Sequence, residues 1–145
     1  MIPVLLTASV DTHGMKGAKF AATEREKMYV DTLNYYIKDF SKRKENFALV
    51  FGENSGWDPM SIKDKLVDAS NVCLEYIALS PSMFDISKGK SYNEMLLIDK
   101  VIESSSYIKK AGAFFKVTGR FPILNLYKLL IEVKKLGGGK YAVLL

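Results

Sequence analysis

The chain has 145 residues, of which 48% are hydrophobic and 26% charged, and it carries a formal net charge of +5. This composition excludes collagen-like, low-complexity and wholly disordered proteins, and the length fits one domain covering residues 1–145. With one cysteine, Cys73, and one histidine, His13, the sequence offers neither an internal disulfide nor a zinc site of cysteine and histidine ligands.

The positive charge is unevenly distributed along the chain. Residues 1–85 hold 10 basic and 12 acidic residues, whereas residues 86–145 hold 11 and 4. A basic half suits a phosphate, a nucleic acid or an anionic membrane surface as partner. Residues 2–10 are apolar but too short to span a bilayer, and they follow no cationic segment. We therefore expect a cytoplasmic protein, with the inner membrane face as an alternative, peripheral location.

The first half of the sequence predicts three strands and a long helix. The apolar runs at residues 2–8, 47–51 and 72–79 are typical of buried strands. Glu75 within the third run favours an edge position or a partly hydrated face of the sheet. Thr23–Glu26 matches a capping box and predicts the start of the helix. The apolar face of this helix is formed by Tyr29, Leu33, Tyr36, Ile37 and Phe40.

Capping residues predict where three further helices begin. Asp58 and Pro59 predict the N-cap and the first residue of a short helix. Ser91–Glu94 repeats the capping-box pattern and predicts one long helix. The inward positions of that helix are Leu97, Ile98, Val101, Ile102 and Ile108. Asn125 predicts the cap of a last helix.

The strand and helix order predicts the architecture. Residues 113–117 form a fourth apolar run, and residues 137–139, three glycines, predict the end of the last helix. Residues 140–145 predict either a fifth strand or a simple chain end. Strands separated by helices cannot pair as hairpins, so we expect a three-layer α/β domain with a mostly parallel sheet and a central first strand.

The polar loops of such a sheet predict where a ligand binds. Segments 9–22, 52–57, 80–90 and 118–121 leave the carboxyl ends of the strands, where open parallel sheets hold their ligands. The alternative is that these loops are polar because they are exposed. The sequence lacks the Gly-rich phosphate motifs of dinucleotide-binding and P-loop proteins. Cys73 is predicted to be a core residue, and His13 a solvated loop residue.

Five segments in the same order resemble a known family. They are VLLTASVDT, TEREKMYVDTLNYY, FALVFGENSGWD, KGKSYNEMLLIDKVIESS and FFKVTGRFPILNL. Together they resemble bacterial glycosyltransferase-like proteins of capsule and lipopolysaccharide gene clusters, which are similar to the GT-A nucleotide-diphospho-sugar transferases. The resemblance implies a Rossmann-like, GT-A-like nucleotide-sugar-binding half.

The resemblance also implies binding residues in the first half of the chain. Thr7 and Asp11 would lie near the base and ribose, where Asp11 would accept hydrogen bonds from ribose hydroxyls. Arg25 is poorly placed for the helix dipole and would contact the nucleotide. Glu53 and Asn54 would lie at the same site. The alternatives are a turn-forming Asp11, a solvated Arg25 and an Asn54 used in an Asx turn.

The segment from Lys88 to Glu94 is the stronger candidate. Lys88 and Lys90, with Gly89 between them, precede a predicted helix start, where lysine opposes the helix dipole. Such a conflict with a local rule is expected at functional sites. We therefore predict that Lys88, Lys90 and the neighbouring backbone at Gly89 contact a ligand phosphate or base, and that Glu94 belongs to the same substrate-binding site.

The fourth strand ends without the D-x-D carboxylate pair that holds a divalent metal in GT-A enzymes. In its place stand Lys116, Thr118, Gly119 and Arg120. Fixed cations can neutralise a diphosphate as a metal does, and arginine binds phosphate with two hydrogen bonds. We therefore expect no cofactor and a metal-free diphosphate site. A divalent metal, or an Arg120 paired with Glu94 or Glu53, is the alternative.

The function expected from these segments is binding of a nucleotide sugar for surface polysaccharide synthesis. The acceptor, a glycan or a lipid-linked sugar, stays open, because we expect residues 1–145 to be truncated relative to the full-length relatives, without their acceptor-binding half. Whether this chain itself catalyses transfer is open for the same reason, although an enzyme is favoured.

The alternative function is that of a non-catalytic basic module that binds nucleic acid or an anionic membrane. Nucleic acid is disfavoured because no RNA- or DNA-binding signature occurs. The membrane contact would use Lys109, Lys110, Lys128, Lys134 and Lys135.

Overall fold

The computed structural model describes residues 1–136 and the backbone of residues 142–144. Five parallel strands form one sheet in the order β3-β2-β1-β4-β5. The strands are β1 (Val4–Ala8), β2 (Phe47–Glu53), β3 (Val72–Ala78), β4 (Phe114–Thr118) and β5 (Ala142–Leu144). The helices are α1 (Ala22–Ser41), α2 (Pro59–Lys63), α3 (Gly89–Ser104), α4 (Ser106–Ala111) and α5 (Leu126–Lys135).

Helices cover both faces of the sheet and bury a core on each side. On one face, α1 and α5 pack against Leu6, Leu49 and Phe115, and all five predicted apolar positions of α1 are buried. On the other face, α3 and α4 pack against Leu5 and Val50. The three-layer, mostly parallel, Rossmann-like α/β fold is therefore confirmed, with β1 central. The glycines at 137–139 lie outside the described residues.

The capping box predicted for α1 is wrong. The helix begins at Ala22, and Ala21, its N-cap residue, makes no side-chain cap bond. Thr23 consequently lies inside the helix. Glu26 instead accepts hydrogen bonds from the side chains of Trp57, Ser61 and Lys65. Three tertiary donors satisfy this carboxylate better than the single backbone N–H of a capping box would.

The helix predicted after Ser91 begins earlier and is interrupted. α3 begins at Gly89, so the second capping box is also wrong. α3 ends at Ser104, and α4 starts after Ser105, whose hydroxyl accepts from the N–H of Ile108 at 3.1 Å. Ile108 is buried as predicted, but Ile102 is exposed.

Strand β3 lies at the edge of the sheet, as Glu75 predicted. Cys73 is exposed there, so its prediction as a core residue is wrong.

The predicted start of α2 is confirmed, because Asp58 accepts from the N–H of Met60 at 3.0 Å and Pro59 is the first helical residue. Asn125 is the N-cap residue of α5 without a side-chain cap bond. Among the described helices, none has the length and apolar character needed to cross a bilayer.

Candidate functional site

A cleft opens where the carboxyl ends of β1 and β4 lie side by side. β1 pairs with β2 on one side and with β4 on the other, so the strand order of the sheet reverses here. Parallel sheets of this type bind ligands at such a switch point. The cleft therefore lies at the position that the topology predicts for a ligand.

Two adjoining cavities make up the cleft. The inner cavity, of about 120 Å³, is lined by Thr7, Ala8, Ser9, Arg25, Tyr29, Asn54, Lys90, Glu94, Leu97, Thr118, Gly119, Arg120 and Phe121. The outer cavity, of about 330 Å³, is lined by Ser9, Thr12, Met15, Lys16, Gly17, Ala18, Lys19, Arg25, Phe84, Lys90, Asn93 and Arg120. Both cavities are lined by Ser9 and by the cationic side chains of Arg25, Lys90 and Arg120, which therefore lie at the junction between the cavities.

Arg25 is the most informative of the three shared cations. It is 6% exposed, and its guanidinium donates to the carbonyl oxygens of Ser9 at 2.7 Å and Lys19 at 3.0 Å. A longer bond of 3.3 Å reaches the hydroxyl of Tyr29. Within the described residues, no carboxylate lies within ion-pair distance of this guanidinium. Burying a charge without a counter-ion is costly, so the site is electrostatically prepared for an anion.

Arg120 and Lys90 bring two further positive charges to the cleft. Arg120 is the second residue after β4 and is partly buried, with its guanidinium carbon 5.7 Å from the centre of the Phe121 ring. Lys90 is the second residue of α3 and is exposed. In the part of the chain that the structure describes, neither residue forms a salt bridge. The alternative pairing of Arg120 with Glu94 or Glu53 is therefore not observed.

Glu94 is instead paired with Lys116. The Oε1 atom of Glu94 accepts from Nζ of Lys116 at 2.6 Å and from the hydroxyl of Thr7 at 2.8 Å. Lys116 is almost fully buried and lies outside both cavities, so its charge is used by Glu94 rather than offered to a ligand. Partial burial raises the pKa of Glu94, but the hydrogen bonds from Lys116 and Thr7 outweigh it and hold the pKa below its ordinary value.

Glu53 and Asn54 shape the loop that follows β2. Glu53 is buried, and its carboxylate accepts from the backbone N–H groups of Val10, Ser55 and Trp57. Asn54 lines the inner cavity, and its Oδ1 accepts from the Ser9 hydroxyl at 2.6 Å. Glu53 therefore holds two loops together beneath the cleft, while Asn54 reaches the cavity itself.

The structure brings together eight of the thirteen residues that the sequence singled out. Those that line the cleft are Thr7, Arg25, Asn54, Lys90, Glu94, Thr118, Gly119 and Arg120. Those outside both cavities are Asp11, Glu53, Lys88, Gly89 and Lys116. Asp11 accepts from the N–H of His13 at 2.8 Å in a local turn, and Nζ of Lys88 lies 4.7 Å from the centre of the Tyr92 ring.

Sequence reasoning missed the part that Tyr29 plays in the cleft. Tyr29 was assigned to the core, and it is buried, but its hydroxyl accepts from the N–H of Ser9 at 3.1 Å as well as from Arg25. Burial raises the pKa of Tyr29 despite the nearby Arg25, so the phenol stays neutral. The spacing of four residues between Arg25 and Tyr29 on one helix was the available signal. Ser9, Lys16, Lys19 and Phe84 lie on the loops 9–22 and 80–90, which were predicted to hold the ligand, but no pattern in those loops singled out these residues.

Gly119 allows β4 to approach β1 closely at the cleft. A Cβ atom at this position would lie 2.8 Å from the carbonyl oxygen of Thr7 and 2.8 Å from Cε1 of Tyr29. We expect Gly119→Ala to lower the free energy of unfolding by about 1–3 kcal/mol, because backbone and a buried ring cannot yield easily. Urea denaturation measures this effect, with exposed Thr118→Ala as the control. An alanine variant as stable as the unmodified protein would contradict the close approach.

No family model, curated protein or solved structure matches this chain significantly. The chemistry of the cleft is therefore the basis for inferring a function.

Proposed function

We propose that the cleft binds the diphosphate of a nucleotide sugar, and that this chain is the nucleotide-sugar-binding domain of a glycosyltransferase-like protein for surface polysaccharide synthesis. The observation that carries the proposal is the buried guanidinium of Arg25, which has no counter-ion among the described residues and lies with Lys90 and Arg120 at the switch point of a Rossmann-like sheet.

The three cations match the chemistry of a diphosphate. Arg120 presents a planar fork of N–H donors, which binds phosphate oxygens with defined geometry, and Lys90 adds a mobile point charge. Each nitrogen of the Arg25 guanidinium already donates one hydrogen bond, so Arg25 offers the one remaining N–H of each terminal nitrogen. A nucleoside diphosphate is also the leaving group of glycosyl transfer, so fixed cations around it would stabilise the charge that develops there. In this proposal, the cations do the work that a divalent metal does in related chemistry.

Calorimetry with nucleoside diphosphates and nucleotide sugars, each with EDTA or with Mn²⁺, tests the proposal. We expect binding in EDTA and a change of less than about threefold on adding Mn²⁺, which is well below 1.4 kcal/mol. A bound nucleotide at 100 times its Kd should raise the stability by about 2.7 kcal/mol in a thermal-shift assay. A strict metal requirement would contradict the metal-free site, and absence of nucleotide binding would contradict the function.

Lys90→Ala tests the contribution of α3. We expect it to weaken nucleoside-diphosphate binding by about 1–3 kcal/mol, the size of a lost charge-assisted hydrogen bond. The free energy of unfolding should hardly change, because exposed lysines contribute little to stability. Lys100→Ala, at an exposed position farther along the same helix, is the matched control and should bind normally. Normal binding by Lys90→Ala together with a lowered melting temperature would make Lys90 a structural residue.

The alternative, a basic module on an anionic membrane or nucleic acid, has a weaker basis. Lys109 and Lys110 lie in the last turn of α4, and Lys134 and Lys135 in the last turn of α5. Lysines at these positions stabilise a helix through its dipole and need no ligand. Anionic vesicles and oligonucleotides belong in the same binding panel, and binding to them without binding to nucleotides would favour the alternative.

A further inference from the structure

We propose that the ligand lies across both cavities, with its nucleoside in the outer cavity, its sugar in the inner cavity and its diphosphate at the junction between them. This assignment rests on the proposed function and adds the direction in which the nucleotide sugar is bound.

The shared residues place the negative charge of the ligand in its middle. Arg25, Lys90 and Arg120 contribute to both cavities, so an anion that contacts all three lies at the boundary. A ligand with its charge at one end, such as a sugar phosphate or a nucleoside monophosphate, would fill one cavity and leave the other empty. A nucleotide sugar has an uncharged group on each side of its diphosphate, and it therefore fits two cavities that share three cations. Lys16 and Lys19, which line the outer cavity, lie on the nucleoside side of the diphosphate in this assignment.

The inner cavity has the polar groups that a sugar needs. Thr7, Asn54, Glu94 and Thr118 line it, and none of them lines the outer cavity. The Oε1 atom of Glu94 takes the bonds from Thr7 and Lys116, whereas Oε2 has no hydrogen-bond partner among the described residues. A carboxylate oxygen without a donor, beside exposed Thr118, suits the hydroxyls that a sugar presents along its edge.

The outer cavity suits the larger and flatter nucleoside. It is the more spacious of the two, and Met15, Ala18 and Phe84 give part of its wall an apolar surface. The ring of Phe84 is partly exposed and contacts the ring of His13 edge to face, with 5.5 Å between the ring centres. An aromatic face and a thioether beside it form a surface on which a nucleobase can stack.

Two variants, each narrowing one cavity, distinguish the two ends. Ala18→Trp adds an indole at an exposed position of the outer cavity, and Thr118→Phe adds a ring at an exposed position of the inner one. Ala111→Trp, at an exposed position on α4 outside both cavities, is the control for the added bulk. The probes are inorganic pyrophosphate, the diphosphates of adenosine, guanosine, uridine and cytidine, and the glucose conjugate of each.

The expected pattern is different for each variant. Ala18→Trp should weaken nucleoside-diphosphate binding at least about tenfold and leave pyrophosphate binding within about threefold. Thr118→Phe should weaken the best nucleotide sugar at least about tenfold and leave its parent nucleoside diphosphate within about threefold. The control should bind all probes normally. Melting temperatures of the free variants show whether each remains folded. Thr118→Ala, which shortens the side chain, is a second variant of the inner cavity. It should lower the affinity for the glucose conjugate and leave the affinity for the parent nucleoside diphosphate unchanged.

Three other outcomes would contradict the placement of the nucleoside in the outer cavity and the sugar in the inner cavity. Loss of nucleoside-diphosphate binding in Thr118→Phe with normal binding in Ala18→Trp would mean the opposite orientation. If the nucleoside diphosphates and their glucose conjugates bind no more tightly than pyrophosphate, the anion site is supported but the two-cavity assignment is wrong. If neither pyrophosphate nor any nucleotide binds the unmodified protein, the proposed function fails, and the assignment fails with it.

Discussion

Replacing Arg25 with methionine is expected to abolish most of the nucleotide affinity while hardly changing the stability of the free protein. Truncating one partner of a buried charged hydrogen bond typically costs about 2–5 kcal/mol of binding, so the Kd should rise at least about 30-fold. In the free protein, the variant loses hydrogen bonds to the carbonyl oxygens of Ser9 and Lys19 but also removes a buried charge without a counter-ion. Because these effects oppose one another, we expect the free energy of unfolding to change by less than about 1 kcal/mol.

Calorimetry with nucleoside diphosphates and urea denaturation of the free variant measure the two effects. Arg25→Lys keeps the charge without the fork and should bind with intermediate affinity. Arg43→Met is the control, because Arg43 lies just beyond the end of α1, where it is paired with Asp39. Unchanged nucleotide binding combined with a large loss of stability would show that Arg25 is structural, and it would remove the main support for the proposed function.

The fold followed from patterns that are repeated along the sequence. Buried strands and one-sided helices each involve many residues, so a single misread position does not change the layer architecture. The two capping-box predictions failed because a capping box depends on only two side chains. Glu26 and Glu94 each had the right spacing for a capping bond, but both carboxylates are bonded to donors from other elements. Such tertiary partners are not visible in a four-residue pattern.

The candidate site could be predicted as a region but not as an arrangement of charges. The topology rule placed the ligand at the carboxyl ends of the strands, and the loops of β1, β2 and β4 do meet there. The sequence could not tell which cations remain unpaired. Lys116 and Arg120 are close in sequence and were predicted to hold the diphosphate together, yet Lys116 is bonded to Glu94 and does not line the cleft, whereas Arg120 does. The difference follows from the bend at Gly119, which ends the strand alternation.

The pair of Glu94 and Lys116 should dominate the stability of this region. Lys116 is 8% exposed and Glu94 is 32% exposed at their side chains. Removing one partner of a fully buried ion pair costs about 3–5 kcal/mol, so Glu94→Gln should cost slightly less, about 2–4 kcal/mol, because Glu94 is partly hydrated. In a Lys116→Met background, the same change should cost much less, since no buried ammonium is left without a partner. Urea denaturation of the four proteins in this cycle measures the coupling.

The pH dependence of stability gives an independent measurement of the same pair. The pKa of Glu94 is lower in the folded protein than its ordinary value of 4.5, because the bonds from Lys116 and Thr7 outweigh the effect of burial. A carboxyl group whose pKa is lower in the folded than in the unfolded protein stabilises the folded state at pH values above its unfolded pKa. This contribution is lost as the pH falls through the folded pKa. The stability difference between the unmodified protein and Glu94→Gln should therefore be full at pH 7 and shrink below about pH 4.5. Glu132→Gln removes the exposed pair of Glu132 and Lys135 and should change the stability at pH 7 by less than about 0.5 kcal/mol. A Glu94→Gln difference that stays constant down to pH 3, or one as small as that of Glu132→Gln, would contradict a strong buried pair beneath the cleft.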